Sequence, residues 1–288
     1  MLFLHTAGPH WYSWHLHPDV ILLLLGLTGA YFYAIGPLRY RIQDAGRVKR
    51  STVLWFMGGI TVLYVAASSP IHELSEGYLL SVHMFQHLLF TMVAAPMFIV
   101  GIPTWLWQAP LGRPSVLAIA KRLTHPVVAF GIFNSVLLLT HLPPTVDLAL
   151  SSEWFHFFVH ATLVMAAILM WWPVLSPIPE LPRLSYGGQM AYLFLQSLLP
   201  AVLASFVTFS DRVVYEKYAA APRIWGLSAI ADQQIAGGIM KILGTAILWS
   251  FIGVAFFKWY DQDQKREQEP RWPEVEQELS EMGLTRHQ

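Results

Sequence analysis

Seven apolar stretches, each near the length that crosses a bilayer, constrain this 288-residue chain more than any other feature. They lie at about 18–38, 52–69, 78–101, 126–141, 154–172, 189–209 and 234–257, the fourth being the shortest. A helix needs about 20 apolar residues to cross ~30 Å of hydrocarbon. A backbone inside hydrocarbon must satisfy its own polar groups, which leaves helices or closed barrels. Long apolar runs predict the former. The expected fold is therefore all-α, a polytopic transmembrane helix bundle of about seven spans. Charged residues are only 12% of the chain, against ~25% in soluble domains. The sequence divides into an outer N-terminal segment, 1–17, the transmembrane domain, 18–257, and a charged tail, 258–288. The first stretch has no basic flank before it and no small-residue cleavage pattern after it, so it reads as a retained span and not a signal peptide. Pro96 and Pro200, inside the third and sixth spans, are expected to kink them, since each removes a backbone donor.

Lys and Arg set the orientation, because cytoplasmic loops are enriched in them. The loop after the first span carries Arg39, Arg41, Arg47, Lys49 and Arg50; the loop after the third carries Arg113, Lys121 and Arg122; the loop after the fifth carries Arg183. The tail adds Lys258, Lys265, Arg266, Arg271 and Arg286. The opposite side has only Arg212, Lys217 and Arg223. The N-terminus is thus expected outside and the C-terminus inside. The net charge of +0 gives no bulk attraction to nucleic acid; the partner that the apolar spans themselves imply is the lipid bilayer.

With that orientation, all of the 12 histidines except His125 and His287 fall at the outer face. Two spans carry an HxxxH pair close to that face: His83 with His87 in SVHMFQHLLF, and His156 with His160 in WFHFFVHATL. Residues four apart share a helical face, about 5–6 Å apart at Cβ. If the third and fifth spans pack together, four imidazoles converge just below the surface. Imidazole binds copper, zinc, iron and nickel. The chain has no cysteine, which excludes thiolate sites and disulfides. Copper is the preferred metal, with zinc second. His72 and His141 are candidate fifth ligands or partners of the ligands. His15 and His17, in WHLHPD, lie on the same side. The alternative is polar packing, in which membrane histidines bond neighbouring helices.

Other residues near this face fit less specific roles. Glu73 and Glu76 are in the loop IHELSEG between the second and third spans. Asp232, at the head of ADQQIAGGIMK, is placed to cap the seventh helix. Lys241 is the clear cation within a span, to be paired with a carboxylate or extended to the surface. Met240 is the methionine best placed for a metal role, since thioether sulfur binds Cu(I); the other span methionines read as packing. Gly237 and Gly238 would admit a close helix. Trp14, Trp105, Trp107, Trp154, Trp171 and Trp172, at span ends, read as interfacial anchors.

The stretch SSPIHELSEGYLLSVHMFQHLLFTMVAAPMFIVGIP, with its HMFQHLL block and the AAPMFIVGIP that follows, resembles the central motif of the CtaG family of cytochrome c oxidase assembly factors. WWPVLSP after the fifth span and DQQIAGGIM in the seventh are similar to the same family, and the likeness runs from about 11 to 257. It implies a multi-pass protein of the bacterial cytoplasmic membrane that assists assembly of haem–copper oxidases, with copper as its metal and oxidase subunits as its partners. By this resemblance His72, His83, His87 and Asp232 are motif positions, and His156 and His160 fit the fifth-span pattern. One departure is Lys241-Ile242-Leu243, where the family pattern continues with Trp-Pro.

Three other functions compete with a copper-handling assembly factor. One is a bis-histidine haem carrier, with His83 paired to His156 and His87 to His160. Another is a metal-free scaffold for oxidase subunits. The third is a metal-dependent hydrolase, but HExxH is absent and no nucleophile stands beside a base, so the chain reads as a non-enzyme.

Overall fold

A computed structural model describes residues 18–42, 45–268 and 279–282. Among these residues there is no strand. Six helices are long and apolar enough to cross a membrane, and a bent pair makes a seventh candidate.

The spans are α1 (Pro18–Ile35), α2 (Arg50–Ser68), a third that begins as α4 (Leu80–Leu88) and ends as α5 (Ala95–Gly101), α8 (Pro126–Thr140), α10 (Glu153–Leu175), α11 (Tyr186–Phe209) and α13 (Ala229–Gln268). Short helices join them: α3 (Pro70–Gly77), α6 (Thr104–Gln108), α7 (Pro114–Leu123), α9 (Pro143–Ala149) and α12 (Glu216–Ala220). At 15 residues, α8 is about 22 Å long by helical rise, so it counts as the seventh candidate span only together with α7. It follows α7 at a bend of 66°. His125 is extended and Pro126 opens α8, because a residue before proline avoids the helical region. The seventh span does not stop near 257: α13 continues to Gln268, and Lys265 pairs with Asp261 at 2.8 Å on its exposed extension.

The third span is the axis. In its most apolar window 72% of residues are buried, against 17% for α1 and for α13. Around it, α2 lies on α5, α10 lies on α5 and α8, and α13 runs along α11 and against α4. Outward faces carry apolar residues such as Leu22, Val127, Phe206 and Phe257, as lipid contact requires. A Cβ on Gly237 would come 2.7 Å from Ala204 O, so α11 and α13 cross there nearly backbone to backbone. Gly238 faces open space.

Pro96 acts through a π-helical turn at Leu89–Ala94 that joins α4 to α5. Ala95 N reaches back to Phe90 O, so in this register Thr91 O awaits a donor from residue 96, and proline has none. The indole of Trp171 supplies it, with Nε1 donating to Thr91 O at 2.8 Å. Trp171 and Trp172 are therefore core residues, 0% and 4% exposed, not interfacial anchors; Trp172 Nε1 donates to Leu181 O at 3.3 Å. Trp105 is buried too, while Trp154 is exposed. At Pro200, α11 continues as a single helix.

Candidate functional site

One end of the bundle is closed by α3, α9 and α12. The stretch expected to be a loop around IHELSEG is a helix because Ser69 caps it, its hydroxyl accepting from Ile71 N at 3.1 Å, and Pro70 occupies the first turn. Such a start suits proline, whose missing N–H would have had no helical partner there. Tyr218 of α12 donates its hydroxyl to Ser75 O of α3, and Tyr215 donates to His141 O at 2.9 Å. Lys217 N donates to Asp147 Oδ1 of α9 at 3.4 Å. Burial, reinforced by the nearby Asp147 carboxylate, pushes the Tyr215 hydroxyl up to about 12. Burial, with Glu76, Asp232 and Tyr215 nearby, holds the Tyr218 hydroxyl well above its ordinary value. Both therefore remain protonated donors at neutral pH.

Below this cap, α4 starts without a side-chain cap of its own. Asp232, in the first turn of α13, provides one from across the bundle: its carboxylate accepts from Leu80 N at 2.7 Å, from Ser81 N at 3.1 Å and from the Ser81 hydroxyl. It does not cap its own helix, as the sequence suggested. A negative charge at a helix N-terminus also opposes the helix dipole favourably. The helix held in this way carries His83 and His87 in its first two turns.

The two HxxxH pairs meet. His87 Nε2 lies 3.2 Å from His160 Nε2, and His160 Nε2 lies 3.0 Å from His156 Nε2. The His83 ring stacks 5.8 Å from that of His156. His83, His87 and His160 each offer a nitrogen within 4.8 Å of the others. A tetrahedral ion with metal–nitrogen bonds of about 2.0–2.1 Å separates its ligand nitrogens by roughly 3.3 Å, so the observed spacing fits imidazoles around one ion. Nδ1 of His83 and Nδ1 of His87 are buried without a hydrogen-bond partner, unusual for buried polar atoms.

Glu76 orients the cluster. His156 Nδ1 donates to Glu76 Oε1 at 2.8 Å, which leaves its Nε2 lone pair directed at His160. His72 lies beside the cluster instead of within it: its Nε2 is 3.2 Å from Glu76 Oε1, and its Nδ1 is 3.3 Å from Gln86 Nε2. Gln86, fully buried, anchors this corner by donating to Ala66 O at 2.7 Å. Burial would raise the Glu76 carboxyl, but the hydrogen bond from His156 and the electrostatic influence of the neighbouring His72, His156 and His83 imidazoles lower it to about 2. A carboxylate–histidine–metal chain is the usual support of a metal-bound imidazole.

The remaining candidates divide. His141 is buried beside His87, ring centres 5.3 Å apart, with Nδ1 donating to Leu137 O at 2.7 Å. Met240 borders a cavity with His87 and His141. Among the described residues Lys241 meets no carboxylate; it bonds Ser205 Oγ at 3.2 Å and lies 5.8 Å over Phe209. His15 and His17 lie outside the described residues. Sequence reasoning gave no role to Gln86 or Tyr218, and it missed that Glu76 stands one helical turn after His72, a signal legible once 70–77 is read as a helix.

The chain is 24% identical over 263 residues to an uncharacterized protein of Mycobacterium bovis, covering 86% of this chain and 40% of the relative. It is 24% identical over 219 residues to an uncharacterized protein of Mycobacterium leprae, covering 67% of this chain and 33% of that relative. The chain thus spans well under half the length of these curated relatives. No solved structure matches it. The family model described as cytochrome c oxidase caa3 assembly factor matches residues 29–262. A match over most of its length, on helices that include all four clustered histidines, shows that the chain belongs to the cytochrome c oxidase caa3 assembly factor family.

Proposed function

We propose that this chain binds copper in the cluster of His83, His87, His156 and His160 and delivers it to cytochrome c oxidase subunits during their assembly. The observation that carries this reading is that His83, His87 and His160 each offer a nitrogen within 4.8 Å of the others, with His160 Nε2 also 3.0 Å from the Nε2 of His156, whose tautomer a carboxylate fixes. Imidazoles without cysteine suit copper or zinc, and the family's oxidase clients favour copper. The protein acts as a carrier and not an enzyme: the buried cluster lies at one end of the bundle, directly beneath a cap of short helices, and among the described residues no nucleophile stands beside a base there. Its place is the bacterial cytoplasmic membrane. The scarcity of Lys and Arg at the histidine end supports an outward-facing cluster, with the N-terminus outside. Haem is the weaker reading. The Nε2 atoms of His87 and His160 already meet at 3.2 Å, leaving no slot between them for a macrocycle, and the adjoining cavity of ≈ 50 Å³ is far below the ~300 Å³ of small-molecule sites.

Copper analysis of the full chain in mild detergent tests the proposal. Bound copper that disappears in a His87→Ala/His160→Ala variant of unchanged helicity is the expected result. Unaltered copper in that variant rejects the cluster as the site. A wild-type protein that takes up no copper leaves a metal-free scaffold, and a Soret band reinstates haem.

A further inference from the structure

Deeper in the bundle than the four histidines, a cavity of ≈ 50 Å³ is bordered by His87, His141, Met84, Met92 and Met240. The residues bordering it include no carboxylate. Thr91 and Ser197, also on its wall, spend their hydroxyl hydrogens on backbone, donating to His87 O and to Phe194 O, each at 2.7 Å. Methionine alone would be ordinary packing. His141 makes the difference. Its Nδ1 lies 2.7 Å from Leu137 O, and a carbonyl can only accept, so the proton sits on Nδ1 and Nε2 carries a lone pair. That Nε2 is buried and has no partner, on a residue 7% exposed. A buried acceptor left open costs about 1–3 kcal/mol, and it stands on a wall shared with three thioethers.

We propose that this cavity is a second metal station, inward of the histidine cluster, that holds a monovalent soft ion, Cu(I), on His141 Nε2 and on thioether sulfurs of Met84, Met92 and Met240. It rests on the copper reading above. The chemistry selects the charge as well as the softness. Thioethers favour Cu(I), and the cost of burying an ion grows with the square of its charge, so a divalent ion here would cost roughly four times as much with no anion to offset it. His87 connects the two stations. Its Nε2 faces His160, while its Nδ1 is buried and unpaired. A neutral imidazole has a single lone pair, so His87 serves one station at a time and passes Cu(I), with no change of oxidation state, from the imidazole cluster to the thioether side.

The test uses the full chain in mild detergent under anaerobic conditions, loaded with Cu(I) or separately with Zn(II), and read by metal stoichiometry and X-ray absorption. Wild-type protein is expected to show a sulfur shell around copper, to exchange it for selenium scattering when grown on selenomethionine, and to show only nitrogen or oxygen around zinc. Met84→Leu/Met92→Leu/Met240→Leu should lose one equivalent of Cu(I) and the whole sulfur shell while retaining zinc. Copper surrounded by nitrogen alone in the wild type, or no selenium signal in the labelled protein, overturns the second station and leaves the cluster standing; the labelled wild type needs no variant to fold. Failure to bind zinc or nitrogen-ligated copper instead condemns the cluster. A sulfur shell that survives the triple substitution also refutes the assignment.

Discussion

Asp232 accepts a hydrogen bond from Leu80 N at 2.7 Å, joining the first turn of the last span to the first turn of the helix that bears His83 and His87. The bond spans 152 positions of sequence, and it ties the aim of two imidazoles to the seating of α13. Asp232→Ala removes the acceptor of Leu80 N, Ser81 N and the Ser81 hydroxyl together. Losing a cap costs about 0.5–2 kcal/mol. The melting temperature in detergent should fall, and copper affinity should fall with it. If affinity drops while the melting temperature holds, Asp232 contacts the metal and does not act through α4.

Glu76→Gln tests the support behind His156. The amide accepts more weakly than a carboxylate and carries no charge to face His72 and His156. Loss of such a partner costs about 10–100-fold in metal affinity. A tenfold or greater weakening, measured by competition with a chelator, is expected; affinity within twofold of the wild type would show that His156 needs no anion to hold its tautomer.

The same residue predicts an acid response. Burial opposes ionisation of Glu76, yet the His156 hydrogen bond and the neighbouring imidazoles lower it from 4.5 to about 2. The folded state therefore binds this proton less readily than the unfolded one. The stabilisation is complete above about pH 4.5 and is lost as pH falls toward 2. Thermal stability of the wild type should decline across that window, and Glu76→Gln should lack this part of the decline. Parallel curves for the two proteins would place the acid sensitivity in another group.

The spans were legible because bilayer thickness imposes one length on every crossing element. The histidine pairs were legible because a spacing of four has a single geometric meaning on a helix. Tertiary partners were not. Asp232 carries an ordinary capping signature for its own helix, and nothing local indicates that its oxygens serve Leu80. Trp171 has the composition of an interfacial anchor; its burial follows from a carbonyl at Thr91 freed by a proline five residues later. Ser69 and Pro70 do mark a helix start, but a helix of 8 residues has little stability alone. It forms here because Tyr218 and the α4 face close over it. Glu76 was obscured by the same omission.

The Thr91–Trp171 bond yields a double-mutant cycle. Trp171→Phe keeps the ring in the core and removes the indole donor, leaving Thr91 O buried without it, at a cost of about 1–3 kcal/mol. Pro96→Ala restores a backbone N–H in the register that Thr91 O faces. In the Pro96→Ala background, Trp171→Phe should therefore cost less than in the wild type, with a coupling of about 0.5 kcal/mol or more. Denaturation of the four proteins in one detergent gives the number. Strict additivity would mean that the indole and the proline act independently and that the π turn has another origin.

Gly237 and Gly238 separate close packing from helix propensity. A Cβ on Gly237 would lie 2.7 Å from Ala204 O and 2.9 Å from Thr208 N. These are backbone atoms that cannot step aside unless α13 moves off α11. Such a shift would move Asp232 off Leu80 and Met240 off the cavity wall. Gly237→Ala should lower the melting temperature and weaken Cu(I) retention together. Gly238→Ala adds its methyl where no atom lies within 4 Å; alanine is favoured over glycine in a helix by about 1 kcal/mol, so stability should hold or rise with metal binding unchanged. The two variants differ by one position and by no chemistry. Equal losses in both would show that α13 is not seated on α11 at Gly237.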